Sequence, residues 1–261
     1  RSFTLHAECQ LERFDPSFQP AVGSGAGQVG AILRAEGAKL VIMARQADTL
    51  AATAEAIRMA TGAEVTTVVG DITTEAGRDV VLATCPAPDI LVNNAGGPPP
   101  GDFRNWGQKE WFEAVNGNMY SPIDMIRRTL DGMIERRFGR IINITSAAVK
   151  QPFEPLGLSN GARSGLTGFV AGISRDPARF NVTINNLLPG LFDTERGHGA
   201  ATLIGNSKGL SAQDIIAGLP AGRLGMVEEF GATCAFLCSQ QAAYITGQNI
   251  LIDGGNYRGT F

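Results

Sequence analysis

Gly25-Ala-Gly27-Gln-Val-Gly30 is a GxGxxG run. In such a run the glycines permit a tight turn, close approach of backbone to a pyrophosphate, and close packing of a helix on a strand. Standing alone it also reads as an ordinary glycine-rich turn. Asp15-Pro-Ser-Phe-Gln-Pro20 ahead of it makes a poor strand, because its two prolines withhold ladder donors. Arg45 closes a later apolar run, Lys39-Leu-Val-Ile-Met-Ala-Arg45. A site selective for NAD presents an acidic residue there to the ribose 2′-hydroxyl. An arginine instead pairs with a 2′-phosphate, which favours NADP(H) over NAD(H), with a solvated strand-end arginine as the alternative. Ser159 and Arg163 stand four apart and share a helical face. Metal chemistry is not expected. Cys9, Cys85, Cys234 and Cys238 lack zinc-ribbon or CxxC spacing, Cys234 and Cys238 read as buried structural thiols, and His6 and His198 are too few for a histidine-based centre.

The elements that must position these residues follow a regular beat from residue 39 onward. The strand-like run 39–45 is followed by a helical pattern near 48–60 and by Glu64-Val-Thr-Thr-Val-Val69. Next come Asp89-Ile-Leu-Val-Asn93, a long helix near 109–136, Arg140-Ile-Ile-Asn-Ile-Thr145, a helix near 158–175 and Asn181-Val-Thr-Ile-Asn-Asn-Leu-Leu188. Strands alternating with helices of this length predict an α/β fold, a single Rossmann-type doubly wound parallel sheet with helices on both faces. Uninterrupted apolar runs say that the strands are covered on both sides. In 261 residues, 44% hydrophobic and 18% charged, no linker or charge run divides the chain, so one domain spanning 1–261 is expected. Ligands in such sheets bind beyond the carboxyl ends of the strands.

Four further motifs follow in order: Asn93-Asn-Ala-Gly96, Asn143-Ile-Thr-Ser146, Pro189-Gly190, and Ile245-Thr-Gly-Gln-Asn-Ile-Leu-Ile-Asp253-Gly-Gly. This set resembles the short-chain dehydrogenase/reductase family, above all its 3-oxoacyl-[acyl-carrier-protein] reductase-like members, over about residues 37–257. The resemblance implies that Asn93 and Gly96 line the cofactor ribose and that Asp71 with Ile72 holds the adenine. It also implies that Thr194, in Pro189-Gly190-Leu-Phe-Asp-Thr194, meets the nicotinamide carboxamide. The first loop departs from the family's TGxxxGxG, since no set of glycines in 18–30 fits it. Counting back from Glu36-Gly37-Ala38 puts Pro20, Ser24 and Ala26 on the glycine positions.

The family's catalytic set is a Ser that polarises the substrate carbonyl, a proton-donating Tyr thirteen residues later, a Lys four beyond that, and an upstream Asn that anchors a water relay. Ser146 and Asn118 match the first and last. At the other two positions stand Ser159 and Arg163, so YxxxK has become SxxxR. A serine hydroxyl cannot replace a phenol, whose ordinary pKa is about 10. Arg163 keeps a positive charge but cannot shuttle a proton at neutral pH. General acid catalysis is worth about 10²–10⁴-fold. Water held by Ser159 and Asn118, Lys150 or Glu154 are the candidate substitutes, with solvated surface charge as the other reading of Lys150 and Glu154.

The resemblance places a substrate lid at 191–223, holding Glu195, His198 and Lys208, and implies a homodimer or homotetramer paired through the small-residue helix around Ser159. Three readings compete. The first is an NADP(H)-dependent oxidoreductase acting on a small-molecule carbonyl or alcohol, with proton transfer reassigned. The second is a nucleotide- or metabolite-binding pseudoenzyme. The third is a cofactor-independent enzyme like the halohydrin dehalogenases, family relatives that use an Arg but retain the Tyr. The net charge of −3, with scattered Lys and Arg, gives no footprint for nucleic acid or an anionic membrane. With no apolar run of spanning length and no secretory signal, a soluble cytoplasmic protein is expected.

Overall fold

A computed structural model of the chain describes residues 4–8, 38–62 and 65–260. Among the described residues seven strands form one sheet: β1 (Thr4–Glu8), β2 (Lys39–Ala44), β3 (Val65–Val69), β4 (Ile90–Asn93), β5 (Gly139–Ile144), β6 (Val182–Pro189) and β7 (Asn249–Ile252). Their order is β3-β2-β1-β4-β5-β6-β7. The expected α/β sheet is present, and β2 pairs with β3, β4 with β5, β5 with β6 and β6 with β7 in parallel. One strand departs from the expectation of a wholly parallel sheet. β1 runs antiparallel to both of its neighbours, pairing Thr4 with Met43 on one side and Leu5 with Val92 on the other. The physical reason is that β2 and β4 are not paired with each other, and an extended segment of either direction satisfies the backbone donors and acceptors that face the gap.

The helices are α1 (Ala47–Thr61), α2 (Glu75–Thr84), α3 (Gln108–Val115), α4 (Ser121–Arg136), α5 (Gly157–Ile173), α6 (Glu195–Lys208), α7 (Ala212–Ala217) and α8 (Val227–Cys238). The single long helix expected near 109–136 is interrupted at Asn116–Tyr120 by a π-helical turn. Alternation along the strands distributes the apolar side chains between two layers. Leu40, Ile42, Ile90, Val92 and Ile142 meet α1 and α8, while Val41, Met43, Leu91, Ile141 and Ile184 meet α2, α4 and α5. Cys234 and Cys238 lie buried in the first layer, as free thiols. Among the described residues no helix is long and apolar enough to cross a membrane.

Two polar devices hold the framework beneath the strand ends. The first is a row of amides across four strands. Asn93 Nδ2 donates to Asn143 Oδ1 at 2.9 Å, Asn143 Nδ2 to Asn186 Oδ1 at 3.2 Å, and Asn186 Nδ2 to Asn249 Oδ1 at 2.8 Å. Each pair sits directly opposite in the parallel ladder. Asn143 is 0% exposed, so its amide must be satisfied inside the protein.

The second device is the Arg78–Asp124 ion pair between α2 and α4, at 2.7 Å, with both side chains 5% exposed. Arg127 adds a 2.7 Å bond to the other carboxylate oxygen. Arg78 Nη1 also donates to Ile72 O at 3.0 Å, which carries the pair's rigidity into the loop after β3. Burial pushes the Asp124 carboxyl up, but the hydrogen bonds and charges of Arg127 and Arg78 outweigh it and hold the pKa below the usual carboxylate value.

Asn143→Leu keeps the volume but strands an Asn93 donor and an Asn186 acceptor, and is expected to cost about 2 kcal/mol or more in denaturant unfolding. Asp124→Asn leaves Arg78 buried without its counter-charge and is expected to cost about 3–5 kcal/mol. Because the folded pKa of Asp124 is depressed, its contribution is complete above the unfolded value of about 3.9 and vanishes as pH falls through the lower folded value. The stability gap between wild type and Asp124→Asn should therefore close on the acid limb, and a gap that stays constant there would contradict this account.

Candidate active site

The loops that follow β2, β3 and β4 enclose, with α3 and the π-helical turn, a cleft of about 500 Å³. Arg45, Asp71, Ile72, Gly96 and Asn118 all line it. Five of the residues singled out from sequence are thus brought together from four separate segments. The loop after β3 is fixed by Asp71, whose Oδ1 accepts from Thr73 N at 2.9 Å and Thr73 Oγ1 at 2.8 Å. Thr74 then caps α2 by accepting from Gly77 N at 3.1 Å. Arg45 lies 3.9 Å from Asp71 with a side chain 67% exposed, so its guanidinium remains accessible at the mouth of the cleft.

Across the cleft, Asn116 Nδ2 donates to Thr73 O at 3.1 Å and ties the π-helical turn to the β3 loop. A π turn inserts one residue into a helix and re-aims the side chains that it carries. Here it presents Asn118, which is 4% exposed. Asn118 Nδ2 donates to Ala114 O at 3.3 Å, while Oδ1 is buried without a hydrogen-bond partner. A buried, unpaired amide oxygen is costly, and the residue that carries it lines the cleft wall.

Ser146 follows β5 in an extended conformation, and its Oγ accepts from Ala148 N at 3.1 Å. That bond uses a lone pair and leaves the hydroxyl proton free to donate. On α5, Ser159 and Arg163 meet as their spacing predicts, with Arg163 Nε donating to Ser159 Oγ at 3.2 Å. The other guanidinium contacts were not foreseen. Nη1 donates to Ile144 O at 2.7 Å and Thr145 O at 2.9 Å, and Nη2 to Ala95 O at 3.4 Å. Arg163 is 7% exposed. Burial first, and the charge of Arg196 second, push its pKa down to about 10, so it is still protonated at neutral pH. It binds the ends of β4 and β5 together from below.

The remaining candidates lie around this centre. Asn93 sits at the end of β4 with its amide in the asparagine row, behind the cleft wall. Gly190 closes β6 and donates its N–H to Ile252 O at 2.8 Å, and a Cβ there would press on Asp253. Pro189 is the last residue of β6. Thr194 caps α6, accepting from Gly197 N at 3.0 Å. Lys150 lies 5.7 Å from the centre of the Tyr257 ring, Glu154 opens a short 3₁₀ turn, and His198 Nε2 lies 2.8 Å from Asp193 Oδ1 on the surface. Gly25, Gly27 and Gly30 lie outside the described residues. Among the described residues no cluster of histidine, cysteine and carboxylate side chains could hold a metal.

Sequence reasoning missed Arg196, on the first turn of α6, whose Nη1 reaches Gly97 O at 3.5 Å on the edge of the cleft. The available signal was an arginine two residues beyond Thr194. It also missed Glu110 and Glu113, which line the cleft from α3.

With this geometry in hand, the known proteins are informative. A family profile described as "Enoyl-(Acyl carrier protein) reductase" matches residues 23–256. The acetoacetyl-CoA reductase of Allochromatium vinosum is 35% identical over 64% of this chain and 65% of its own length. The NADPH-dependent reductase BacG of Bacillus subtilis is 32% identical over 84% of this chain and 88% of its own. The crystal structure of YwfH, an NADPH-dependent reductase involved in bacilysin biosynthesis, superposes with a TM-score of 0.83 at 30% identity, covering 92% of this chain and 96% of that one. Strand order, the strand-end loops and these matches agree that the chain belongs to the short-chain dehydrogenase/reductase family of oxidoreductases, with 3-oxoacyl-[acyl-carrier-protein] reductases among its relatives.

Proposed function

We propose that the chain is an NADP(H)-dependent reductase of small-molecule carbonyl substrates. The observation that carries this reading is the cleft itself, where an exposed Arg45, the Asp71–Ile72 turn, Gly96 and Asn118, whose amide oxygen is unpaired, line one space of about 500 Å³. A 2′-phosphate would pair with Arg45. The adenine would rest at Asp71 and Ile72, the ribose at Gly96 with Asn93 supporting the loop from behind, and the carboxamide by Thr194 and the Pro189-Gly190 turn. Gly25, Gly27 and Gly30 are the candidates for the pyrophosphate. Reduced nicotinamide, when bound, would supply a hydride to the substrate carbonyl carbon, and the oxygen would take its proton from water.

The chain's own part is to polarise the carbonyl oxygen and to hold the substrate. Ser146 does the first with its free hydroxyl proton, and Asn118 orders water or substrate through its unpaired oxygen. The segment 191–223, with α6 and α7, acts as the lid. Ser159 supplies no acid, and Arg163 has most of its donors committed to backbone carbonyls. Turnover should therefore be slow, by up to the ~10²–10⁴-fold that a general acid contributes. That commitment also favours a second reading, a pseudoenzyme that binds a dinucleotide without reducing anything. For assembly, the outward stripe of α5 suits a homodimer or homotetramer, because Gly161, Ser164, Gly168 and Gly172 are all exposed and a Cβ on Gly168 or Gly172 would meet nothing.

Calorimetric titration tests the reading directly. NADPH should saturate the protein and bind about tenfold or more tightly than NADH, and Arg45→Ala should erase the difference without weakening NADH. Failure of both dinucleotides to bind would overturn the proposal, and binding without reduction of any ketone would leave the pseudoenzyme. Ser159→Tyr with Arg163→Lys should raise turnover, yet cost about 2 kcal/mol of stability because the carbonyls of Ile144, Thr145 and Ala95 lose their shared donor. A double variant as stable as wild type would show that Arg163 does not clamp these strands.

A further inference from the structure

Two guanidinium groups converge on one three-residue loop, Ala95-Gly96-Gly97. Arg163 reaches it from the protein interior through Ala95 O at 3.4 Å, and Arg196 reaches it from the lid helix through Gly97 O at 3.5 Å. Gly97 makes the second approach possible, because a Cβ at that position would collide with the Arg196 guanidinium. Among the described residues neither arginine is ion-paired. Other arginines around the cleft are, including Arg45 with Asp71 and Arg78 with Asp124. On the lid, Asp193 is turned to His198, and Glu195, beside Arg196 in the chain, makes no ion pair with it among the described residues. Two cations therefore meet at one loop on the edge of the cleft, whose acids Glu110 and Glu113 stand on α3 and pair with neither, and after burial their mutual repulsion is the second cause of the lowered Arg163 pKa.

The contact that Arg196 does make is weak. A bond of 3.5 Å to a neutral carbonyl is at the limit of a hydrogen bond, and most of the five donors on this planar group remain available on an exposed side chain. The group also stands on the first turn of α6, where the helix adds positive potential. An arginine held loosely over the rim of a cleft by a glycine can be captured by an oxyanion at small cost, since it gives up little when it turns.

We propose that Arg196, poised over the Ala95–Gly97 loop, forms an oxyanion subsite at the junction of lid and cleft, which takes a carboxylate on the substrate or a phosphate on the cofactor. This rests on the reductase reading for its biological use, but not for its detection. Arg163 contributes the field from below and Arg196 the directional bonds, so the ligand anion draws α6 onto the loop and couples lid position to binding.

The experiment compares wild type, Arg196→Ala and Arg196→Lys with a matched pair of ketones, acetoacetate and its neutral ethyl ester. In the NADPH-loaded protein a substrate carboxylate subsite predicts that Arg196→Ala loses tenfold or more of kcat/KM for acetoacetate, through KM, with the ester unchanged and partial recovery in Arg196→Lys. A phosphate subsite predicts instead that NADPH binding weakens tenfold or more and that both ketones lose alike. The second readout is calorimetric titration of the cofactor-free protein with acetoacetate and with inorganic phosphate, in which the ion that fills the subsite should lose affinity in Arg196→Ala. Unchanged binding of NADPH, acetoacetate and phosphate in Arg196→Ala would overturn the subsite while leaving the reductase reading intact. Wild-type protein that binds neither dinucleotide would overturn the reductase reading, and the cofactor-free titrations would still decide the subsite.

Discussion

Arg163 is a full positive charge placed where little water reaches it, carried by the carbonyls of Ala95, Ile144 and Thr145 and the hydroxyl of Ser159. An isolated buried charge is expensive, and only dense hydrogen bonding makes it tolerable. Those four oxygens come from three parts of the chain that the sheet alone does not join at this point: the loop after β4, the end of β5, and α5. The planar, forked guanidinium reaches all of them at once, which a lysine ammonium does less well. Ser146, one residue beyond Thr145, and Gly96, one beyond Ala95, take their positions from this clamp. The cleft wall and Ser146 are therefore coupled mechanically before any ligand arrives.

Around that clamp the site is built from loops whose rigidity is borrowed. The turn after β3 is held by Asp71 and Thr74 from within and by Arg78 from beneath, and Arg78 is in turn fixed by Asp124. The π-helical turn is pinned to it through Asn116. The single unsatisfied oxygen of Asn118 stands out against this background, because almost every other polar atom nearby has its partner. Strain of this sort is usually retained where a ligand relieves it.

How much of this was legible in advance depended on the range of the interaction. Most strands and helices between residues 39 and 189 announced themselves by local apolar runs and by periodicity, but α2 (Glu75–Thr84) was not among the expected elements and the π turn at Asn116–Tyr120 gave no local sign. β1 gave none either, since Thr4–Glu8 is a short segment whose place depends on a gap left by β2 and β4. The candidate residues at strand ends, Arg45, Asp71, Ile72 and Gly96, were legible because ligand sites in such sheets occupy that edge. The use made of Arg163 was not. Its spacing from Ser159 predicted a shared face, but nothing local said that its other donors would reach carbonyls 18, 19 and 68 residues away. Arg196 was hidden for the same reason, as its target lies 99 residues earlier.

The row of amides at Asn93, Asn143, Asn186 and Asn249 resolves an ambiguity that apolar strands create. Leu91, Val92, Ile141, Ile142, Ile184 and Leu187 are buried on both faces of the sheet, so sliding one strand past its neighbour by a residue would still hide hydrocarbon on either side. Hydrophobic burial by itself would leave such slipped pairings nearly degenerate. A slip of one residue would separate the paired amides and break the bonds that they make in this register. The asparagines act as a vernier: they contribute modestly to net stability, but they make one alignment of β4 to β7 the only alignment in which the strand ends, and hence the loops that carry Ser146 and Gly96, come level.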